Sequence, residues 1–284
     1  MDFSKKLTLI TGGSSGIGLA TAYQIAASGA DVWILARDPE KLKAAEAKIK
    51  AARKSSEQKT GILVADVSNE AQVTSVINEW MNQVGVPDIV INSAGIVEPG
   101  YFENQTTAIF RRMLDVDLFG VLHVTRAVSP GMIKRQSGHI VNISSAAGFV
   151  GWYGYTAYSS AKFAVRGLSE CLRTELKPYG VKVSVVFPFD TDTPQLEYDD
   201  LHKPPETKVL SGLVGSPVKV DVVAKTIVKG ISHGSFFIIP GIDVQALYFI
   251  YSAFPGIALP ILDYMVRISL KRTNSKRQKT QNPD

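Results

Sequence analysis

Short apolar runs alternate along the chain with longer stretches whose apolar residues recur at helical spacing. Most of the short runs are continuous in valine, isoleucine and leucine, which is typical of strands covered on both faces. This alternation predicts βαβ units and a parallel sheet. The predicted strands are residues 7–11, 32–36, 62–65, 89–92, 139–143, 181–187 and 236–239.

Helical periodicity occupies the intervals between these strands. No internal repeat or linker interrupts the order, so we predict one α/β domain over residues 1–242. Its fold is a Rossmann-type doubly wound parallel sheet with helices on both faces, and its ligand crevice lies at the carboxyl ends of the strands. The predicted helices include residues 41–54, 70–84, 107–135, 157–178 and 221–232.

Residues 188–217 interrupt this pattern, because prolines are frequent there and apolar positions show little periodicity. A long, weakly structured segment in a compact domain usually serves a functional site, often by closing over it. We therefore predict a substrate loop at residues 188–217.

Residues 243–270 form an apolar extension after the predicted domain. The stretch 244–262 has nineteen residues without a charge, a length that permits a membrane span. Pro255, Gly256 and Pro260 argue against one straight helix. Three interpretations stay open: an interfacial element that dips into lipid, a wall of the substrate site with a dimer contact, or a true span.

The formal net charge of +5 comes from the C-terminal end. Residues 267–284 hold six basic residues and one acid, which leaves residues 1–266 with 25 of each sign. A neutral body argues against nucleic acid binding, which needs a basic face on the fold. The basic tail, residues 271–284, suits either contact with anionic lipid or a disordered solubilising segment, and we predict disorder.

Two further features bear on the compartment. No signal peptide precedes the first strand. The one cysteine, Cys171, excludes an internal disulfide and favours a reducing compartment. Because Cys171 falls in a helical pattern, we expect a buried thiol. Together with the apolar extension, these features predict a membrane-associated protein that faces the cytoplasm.

A glycine-rich turn, residues 11–18, follows the first strand and opens a helix. Glycine lets the backbone turn tightly and approach a pyrophosphate, and the start of the helix supplies N–H donors. The turn therefore predicts a dinucleotide site. Its contacts are expected from Gly12, Ser14, Ser15, Gly16, Ile17 and Gly18.

The residues after the second strand discriminate between the two nicotinamide cofactors. An acidic side chain there binds the adenosine ribose and repels a 2′-phosphate. This chain has Ala36, Arg37 and Asp38, and the guanidinium favours NADPH. The alternative is that Arg37 is solvated and Asp38 binds the ribose. Asp66, followed by Val67, either accepts from the adenine amino group or caps a helix.

Tyr158 and Lys162 are four residues apart in a helical pattern, so they share one face. A free phenol has a pKa of about 10, and a neighbouring ammonium stabilises the phenolate and lowers that pKa. The pair therefore predicts a proton donor to a ketone or a proton acceptor from an alcohol.

In order and spacing, the glycine-rich turn, residues 92–95, Ser145 and the Tyr158–Lys162 pair resemble the short-chain dehydrogenase/reductase family. The resemblance implies that Tyr158 protonates a substrate carbonyl oxygen and that Lys162 lowers the pKa of Tyr158 and holds the nicotinamide ribose. It implies that Ser145 binds the same oxygen. Further cofactor contacts are implied at Asn92, Ala94, Gly95, Pro188, Thr191 and Thr193.

This chain departs from the family pattern at Asp117. The family usually carries an asparagine there, which supports a water relay to the lysine. We expect Asp117 to remain in the relay as part of the catalytic group, while its charge near Lys162 shifts the pH optimum.

Within the family, residues 187–194 and 203–207 resemble 3-ketodihydrosphingosine reductases. This resemblance implies NADPH-dependent reduction of a long-chain lipid ketone, a hydrophobic small-molecule substrate. One alternative is a retinoid, steroid or other lipid-alcohol dehydrogenase, and another is a non-catalytic cofactor-binding scaffold or sensor. No metal site is predicted, and a homo-oligomer is expected because the family commonly pairs through its long helices.

Overall fold

One parallel sheet forms the centre of the computed structural model, which describes residues 2–281, the last six as backbone alone. Its strands are β1 Leu7–Thr11, β2 Asp31–Ala36, β3 Thr60–Val64, β4 Ile89–Asn92, β5 Gly138–Ile143, β6 Val181–Val186 and β7 Phe237–Ile238. Their order across the sheet is β3-β2-β1-β4-β5-β6-β7, which reverses between β1 and β4. This reversal opens a crevice at the carboxyl ends of the strands, so the predicted doubly wound sheet is confirmed.

Helices cover both faces of the sheet. Those of the described residues are α1 Gly16–Ala27, α2 Pro39–Ala51, α3 Glu70–Val84, α4 Thr107–Leu114, α5 Gly120–Arg135, α6 Thr156–Leu176, α7 Pro194–His202, α8 Pro205–Val214, α9 Val220–His233, α10 Ile242–Ala253 and α11 Pro255–Gln281. Helices α1, α2 and α9 pack on one face of the sheet, and α3, α5 and α6 pack on the other.

Alternate residues of each strand enter the two cores, which explains why the strands are apolar throughout. On β2, Val32 and Ile34 pack with α1, α2 and α9, whereas Trp33 and Leu35 pack on the opposite side. The ring centroids of Trp33 and Trp80 on α3 lie 5.9 Å apart. Because both faces are buried, the carboxyl ends of the strands are held in place, and so are the starts of the loops that follow them.

The helix predicted over residues 107–135 contains a π-helical turn. Helix α4 ends at Leu114, Asp115–Phe119 form the turn, and α5 begins at Gly120. Such turns add a residue to a helix and often occur at functional sites. Here the turn carries Asp117, whose side chain is wholly buried.

Residues 188–217 are more regular than the sequence predicted, because they contain α7 and α8. Each helix begins with a proline, Pro194 or Pro205, at its first position. Proline is favoured there because its missing N–H would have no partner in the first turn. The prolines that indicated a loop therefore start helices, and the expectation of weak structure was wrong.

The C-terminal extension consists of two helices. Helix α10 ends at Ala253, and Pro255 begins α11. Leu262, Met265 and Val266 of α11 pack against the core that surrounds Phe149. In the described part of the chain, no helix is both long enough and apolar enough to cross a membrane.

Residues 271–284 were predicted to be disordered. In the structure α11 continues to Gln281, so the chain is helical up to that residue. Residues 282–284 lie outside the described residues. The expectation of a buried Cys171 was also wrong, because Cys171 is exposed on α6. The helical pattern identified the element, but only packing determines which side of a helix faces solvent.

Candidate active site

A cleft of about 390 Å³ opens at the carboxyl ends of the strands, next to the reversal between β1 and β4. The segments that follow β1 to β6 line it. Of the predicted site residues, all except Asn92 and Asp117 line this cleft. They are Gly12, Ser14, Ser15, Gly16, Ile17, Gly18, Arg37, Asp66, Val67, Ala94, Gly95, Ser145, Tyr158, Lys162, Pro188, Thr191 and Thr193.

Two glycines of the glycine-rich turn, Gly12 and Gly18, pack too closely against neighbouring backbone to admit a side chain. A Cβ at Gly12, where φ is +64°, would lie 2.8 Å from the backbone of Ala94. A Cβ at Gly18 would lie 2.4 Å from the carbonyl oxygen of Gly12. Among the described residues, the side chain of the N-cap residue Ser15 makes no capping hydrogen bond to the first N–H groups of α1. The turn and the helix start therefore fit a pyrophosphate.

The side chains of Arg37 and Asp38 have different surroundings. The Arg37 side chain is 67% exposed, and its Nη1 lies 3.7 Å from Oδ2 of Asp66. Asp38 caps α2, where its Oδ1 accepts hydrogen bonds from the N–H groups of Glu40 and Lys41. Asp38 is therefore engaged with the start of α2, whereas the guanidinium of Arg37 lies exposed at the edge of the cleft.

Asp66 makes a turn with the residues that follow it. Its Oδ1 accepts from the N–H of Ser68 at 2.9 Å and from the Ser68 hydroxyl at 2.7 Å. Burial raises the pKa of Asp66. The Ser68 hydrogen bonds and the charge of Arg37 together lower that pKa by more than burial raises it, so the net direction is downward. Asn69 caps α3, so the helix-cap alternative for Asp66 was wrong.

Asn92 is buried beneath the cleft and does not line it. Its Nδ2 donates to Oδ1 of Asn142 at 2.8 Å, joining β4 to β5. The next residues do reach the cleft, where the N–H groups of Ser93 and Ala94 both donate to Oγ1 of Thr11 at 3.1 Å. Asn92, predicted as a cofactor contact, therefore does not face the cleft, whereas Ser93 and Ala94 do.

Ser145, Tyr158 and Lys162 converge on the cleft from two elements. Ser145 follows β5, whereas Tyr158 and Lys162 lie in the first two turns of α6. Nζ of Lys162 lies 5.5 Å from the centre of the Tyr158 ring, and the Ser145 hydroxyl is near enough to Tyr158 to lower the pKa of its phenol. The phenol is thus held between a hydroxyl and an ammonium, an arrangement that can protonate a carbonyl oxygen.

Asp117 supports Lys162 from beneath the cleft. Its Oδ1 lies 3.3 Å from Nζ of Lys162 and accepts the N–H of Ile96 at 3.0 Å. Gly95 leaves room for this pair, since a Cβ there would lie 2.6 Å from the same oxygen. Burial lowers the pKa of Lys162, but Asp117 raises it, and the net direction is upward. Burial raises the pKa of Asp117, against the opposing effect of Lys162.

The pKa of Tyr158 lies above its ordinary value, which corrects the expectation of an acidified phenol. Burial raises this pKa, Lys162 lowers it, and Asp117 raises it again. The Ser145 hydroxyl also lowers it, but burial prevails. Tyr158 is therefore protonated at neutral pH, which suits a proton donor.

A family model described as short chain dehydrogenase matches residues 6–203. The chain belongs to this family. A 3-ketodihydrosphingosine reductase of Bos taurus is 40% identical over 229 residues, which are 80% of this chain and 69% of that protein. A reductase of the same name from Dictyostelium discoideum is 40% identical over 247 residues, 82% of this chain and 74% of that protein.

A solved structure with a similar fold is a short-chain dehydrogenase from Sphingobium yanoikuyae in complex with NADPH. It matches with a TM-score of 0.74 at 27% identity, over 90% of this chain and 94% of that one. This member of the short chain dehydrogenase family is thus an oxidoreductase that uses a nicotinamide cofactor. The glycine-rich turn and the Ser145, Tyr158 and Lys162 group are the parts of the cleft that fit such a cofactor.

Several cleft residues of this short chain dehydrogenase were not predicted as site residues. Trp152 and Tyr155 precede α6, Asp190 follows β6, and Asp199 lies on α7, and all of them line the cleft. The ring centroids of Tyr155 and Tyr158 lie 5.9 Å apart. One local signal was available, because Asp199 and Lys203 are four residues apart, as in a helical ion pair. It was missed because residues 188–217 were interpreted as a loop.

Proposed function

We propose that this protein catalyses the NADPH-dependent reduction of 3-ketodihydrosphingosine to sphinganine. The observation that carries the proposal is Tyr158, protonated and held between Ser145 and Lys162 in the cleft. The substrate comes from the relatives of that name, which are 40% identical over four fifths of this chain. The fold and the reacting residues support a reduction, and the names of the relatives support a lipid ketone as the substrate.

The residues of the cleft divide the reaction between them. When bound, the dinucleotide supplies a hydride to the carbonyl carbon. The Tyr158 hydroxyl then gives its proton to the carbonyl oxygen, because charge develops there as the carbon is reduced. The Ser145 hydroxyl donates to the same oxygen and orients it. Lys162, kept charged by Asp117, would stabilise the phenolate that remains and would hold the nicotinamide ribose.

The proposed preference for NADPH rests on Arg37. Its side chain is exposed at the mouth of the cleft, and Asp38, the acidic residue that could bind an unphosphorylated ribose, is engaged with α2. A guanidinium can bind a phosphate through two parallel N–H donors. Arg37 would therefore hold the 2′-phosphate of NADPH.

The C-terminal helices support peripheral membrane contact. Ile257, Ile261 and Tyr264 recur at helical spacing on α11 and are 59%, 49% and 65% exposed. Lys271 continues the same face and is exposed. An apolar stripe that ends in cations suits the surface of an anionic membrane, from which a long-chain ketone could be collected. Orientation toward the cytoplasm and homo-oligomer formation stay predictions.

The decisive assay measures NADPH oxidation by the purified protein with 3-ketodihydrosphingosine, retinal or a steroid ketone in the same mixed micelles. We expect the highest kcat/KM with 3-ketodihydrosphingosine and formation of sphinganine, identified by mass spectrometry. A higher kcat/KM with retinal or the steroid ketone would favour the alternative lipid-alcohol dehydrogenase. If the protein binds NADPH but does not oxidise it with any of the three carbonyl compounds, the result would favour a non-catalytic scaffold.

A further inference from the structure

A cluster of charged side chains is buried beneath the segment that follows β6, close to Tyr158. Asp190 belongs to this segment, Asp199 lies on α7, and Lys203 is the C-cap residue that follows α7. The side chains of Lys203 and Asp199 are only 3% and 7% exposed. Buried charges are costly unless they are paired, so the pairing of this cluster is informative.

Lys203 is shared unequally by three carboxylates. Its Nζ lies 2.6 Å from Oδ1 of Asp200, 3.2 Å from Oδ2 of Asp199 and 3.8 Å from Oδ2 of Asp190. Asp199 and Asp190 line the cleft, whereas Lys203 and the half-exposed Asp200 do not. One ammonium is thus shared by three carboxylates, so negative charge is in excess in this cluster, and two of its carboxylates line the cleft.

One oxygen of Asp199 is left without a donor. Its Oδ2 accepts both the Tyr155 hydroxyl at 2.5 Å and Nζ of Lys203. Its Oδ1 is buried, and among the described residues it has no hydrogen-bond partner. A buried carboxylate oxygen without a donor is unfavourable, so a ligand that brings a donor to Asp199 would be bound more tightly.

We propose that Asp190 and Asp199 bind a primary ammonium on the carbon next to the substrate ketone. This assignment rests on the proposed function, whose substrate is a 2-amino-3-ketone. Asp199 lies near the reacting group, as an ammonium next to the ketone requires. Its partner Tyr155 bonds it through the hydroxyl, and the Tyr155 ring centroid lies 5.9 Å from that of Tyr158, the proton donor. Trp152 and Phe189, with ring centroids 6.0 Å apart, leave an apolar surface for the alkyl chain.

This arrangement makes the two carboxylates specificity-determining residues. Retinal and steroid ketones carry no ammonium, so they would leave the charge on the cleft side unpaired. Lys203 limits the repulsion among the three carboxylates and keeps Asp199 in place. The amine is therefore selected by charge, and the alkyl chain by apolar contact.

The test compares 3-ketodihydrosphingosine with its analogue that has hydrogen in place of the amine, in the same micelles. For the unmodified protein, we expect kcat/KM to be about 10- to 100-fold higher with the amine, about 1.4–2.8 kcal/mol. Asp199→Asn should remove most of this preference by lowering kcat/KM for the amine far more than kcat/KM for the analogue, and Asp199→Glu should restore part of it. Asp192→Asn is the matched control, because Asp192 is an exposed acid of the same segment that does not line the cleft.

The rate with the analogue also reports folding, since a misfolded variant would lose both substrates together. In that case Asp190→Asn provides a second variant with the same expected loss of preference. Equal kcat/KM for the two ketones in the unmodified protein would overturn this assignment and leave the reductase intact. No NADPH oxidation with either ketone would overturn the proposed function, and this assignment with it.

Discussion

Oδ1 of Asp117 lies 3.3 Å from Nζ of Lys162, and both side chains are almost wholly buried. The π-helical turn between α4 and α5 carries the carboxylate to this position, and Gly95 leaves the space that the pair occupies. Oδ2 of Asp117 has no hydrogen-bond partner among the described residues. The pair therefore keeps an ammonium in the reacting group and adds negative charge near Tyr158.

Asp117→Asn should move the alkaline limb of kcat/KM for reduction to lower pH. Asparagine can still accept the N–H of Ile96, but it removes a charge that raises the pKa of both Tyr158 and Lys162. The protonated Tyr158 is the donor and exists below its pKa, so a lower pKa ends activity at lower pH. The rate at pH 7 should change by less than about tenfold.

The control for this pH profile is Asp115→Asn, an exposed carboxylate of the same π-helical turn. It should retain the profile of the unmodified protein, in which reduction continues through neutral and mildly alkaline pH because the pKa of Tyr158 is raised. If Asp117→Asn also kept the rate and profile of the unmodified protein, the role given to its charge would be wrong.

Asp117→Ala should destabilise the fold by about 3–5 kcal/mol, because it leaves Lys162 buried without its counter-charge. The free energy of unfolding in urea measures this loss, and Asp115→Ala provides the surface control. If Asp117→Ala lost no more free energy of unfolding than Asp115→Ala, water would solvate the Lys162 ammonium as effectively as Asp117 neutralises it.

Tyr158→Phe should lower kcat for the reduction by about 10²- to 10⁴-fold, which is the usual contribution of a general acid. Binding of NADPH, followed by quenching of protein fluorescence, should change little because the ring is retained. Tyr179→Phe removes the same hydroxyl from an exposed tyrosine and should be neutral. Undiminished turnover by Tyr158→Phe would exclude this residue as the donor.

Arg37→Ala should raise the KM for NADPH by about 10- to 100-fold, as expected for loss of a charge-assisted phosphate contact. The KM for NADH should hardly change, since that cofactor has no 2′-phosphate. Lys43→Ala, at an exposed position of α2 that does not line the cleft, controls for general surface charge. An equal rise for both cofactors would argue against phosphate recognition by Arg37.

Replacing Ile257, Ile261 and Tyr264 together by serine should lower partition to anionic vesicles at least about tenfold, because each apolar side chain loses about 1.5–3 kcal/mol of burial. Co-sedimentation with phosphatidylserine-containing vesicles measures this. A triple serine variant at the exposed Val84, Tyr179 and Val222, on other elements, is the control. Equal losses in both variants, or no sedimentation of the unmodified protein, would contradict the membrane-facing role of α11.

Local sequence was sufficient to predict the strands and most of the helices of the sheet domain. The predicted bounds of Leu7–Thr11, Ile89–Asn92 and Glu70–Val84 are those of the structure. These elements could be predicted because apolar runs and helical periodicity are properties of neighbouring residues. Local signals were ambiguous at residues 188–217, where a proline can either interrupt a helix or begin one.

Sequence by itself also determined the reacting residues, because Tyr158 and Lys162 share one helix and their spacing places them together. Tertiary structure decided what surrounds them. Lys162 and Asp117 are 45 residues apart, and only packing buries them as a pair. Burial of Tyr158 itself raises the pKa of its phenol, where the cation alone would have lowered it. Desolvation depends on the whole fold, and no run of neighbouring residues reveals it.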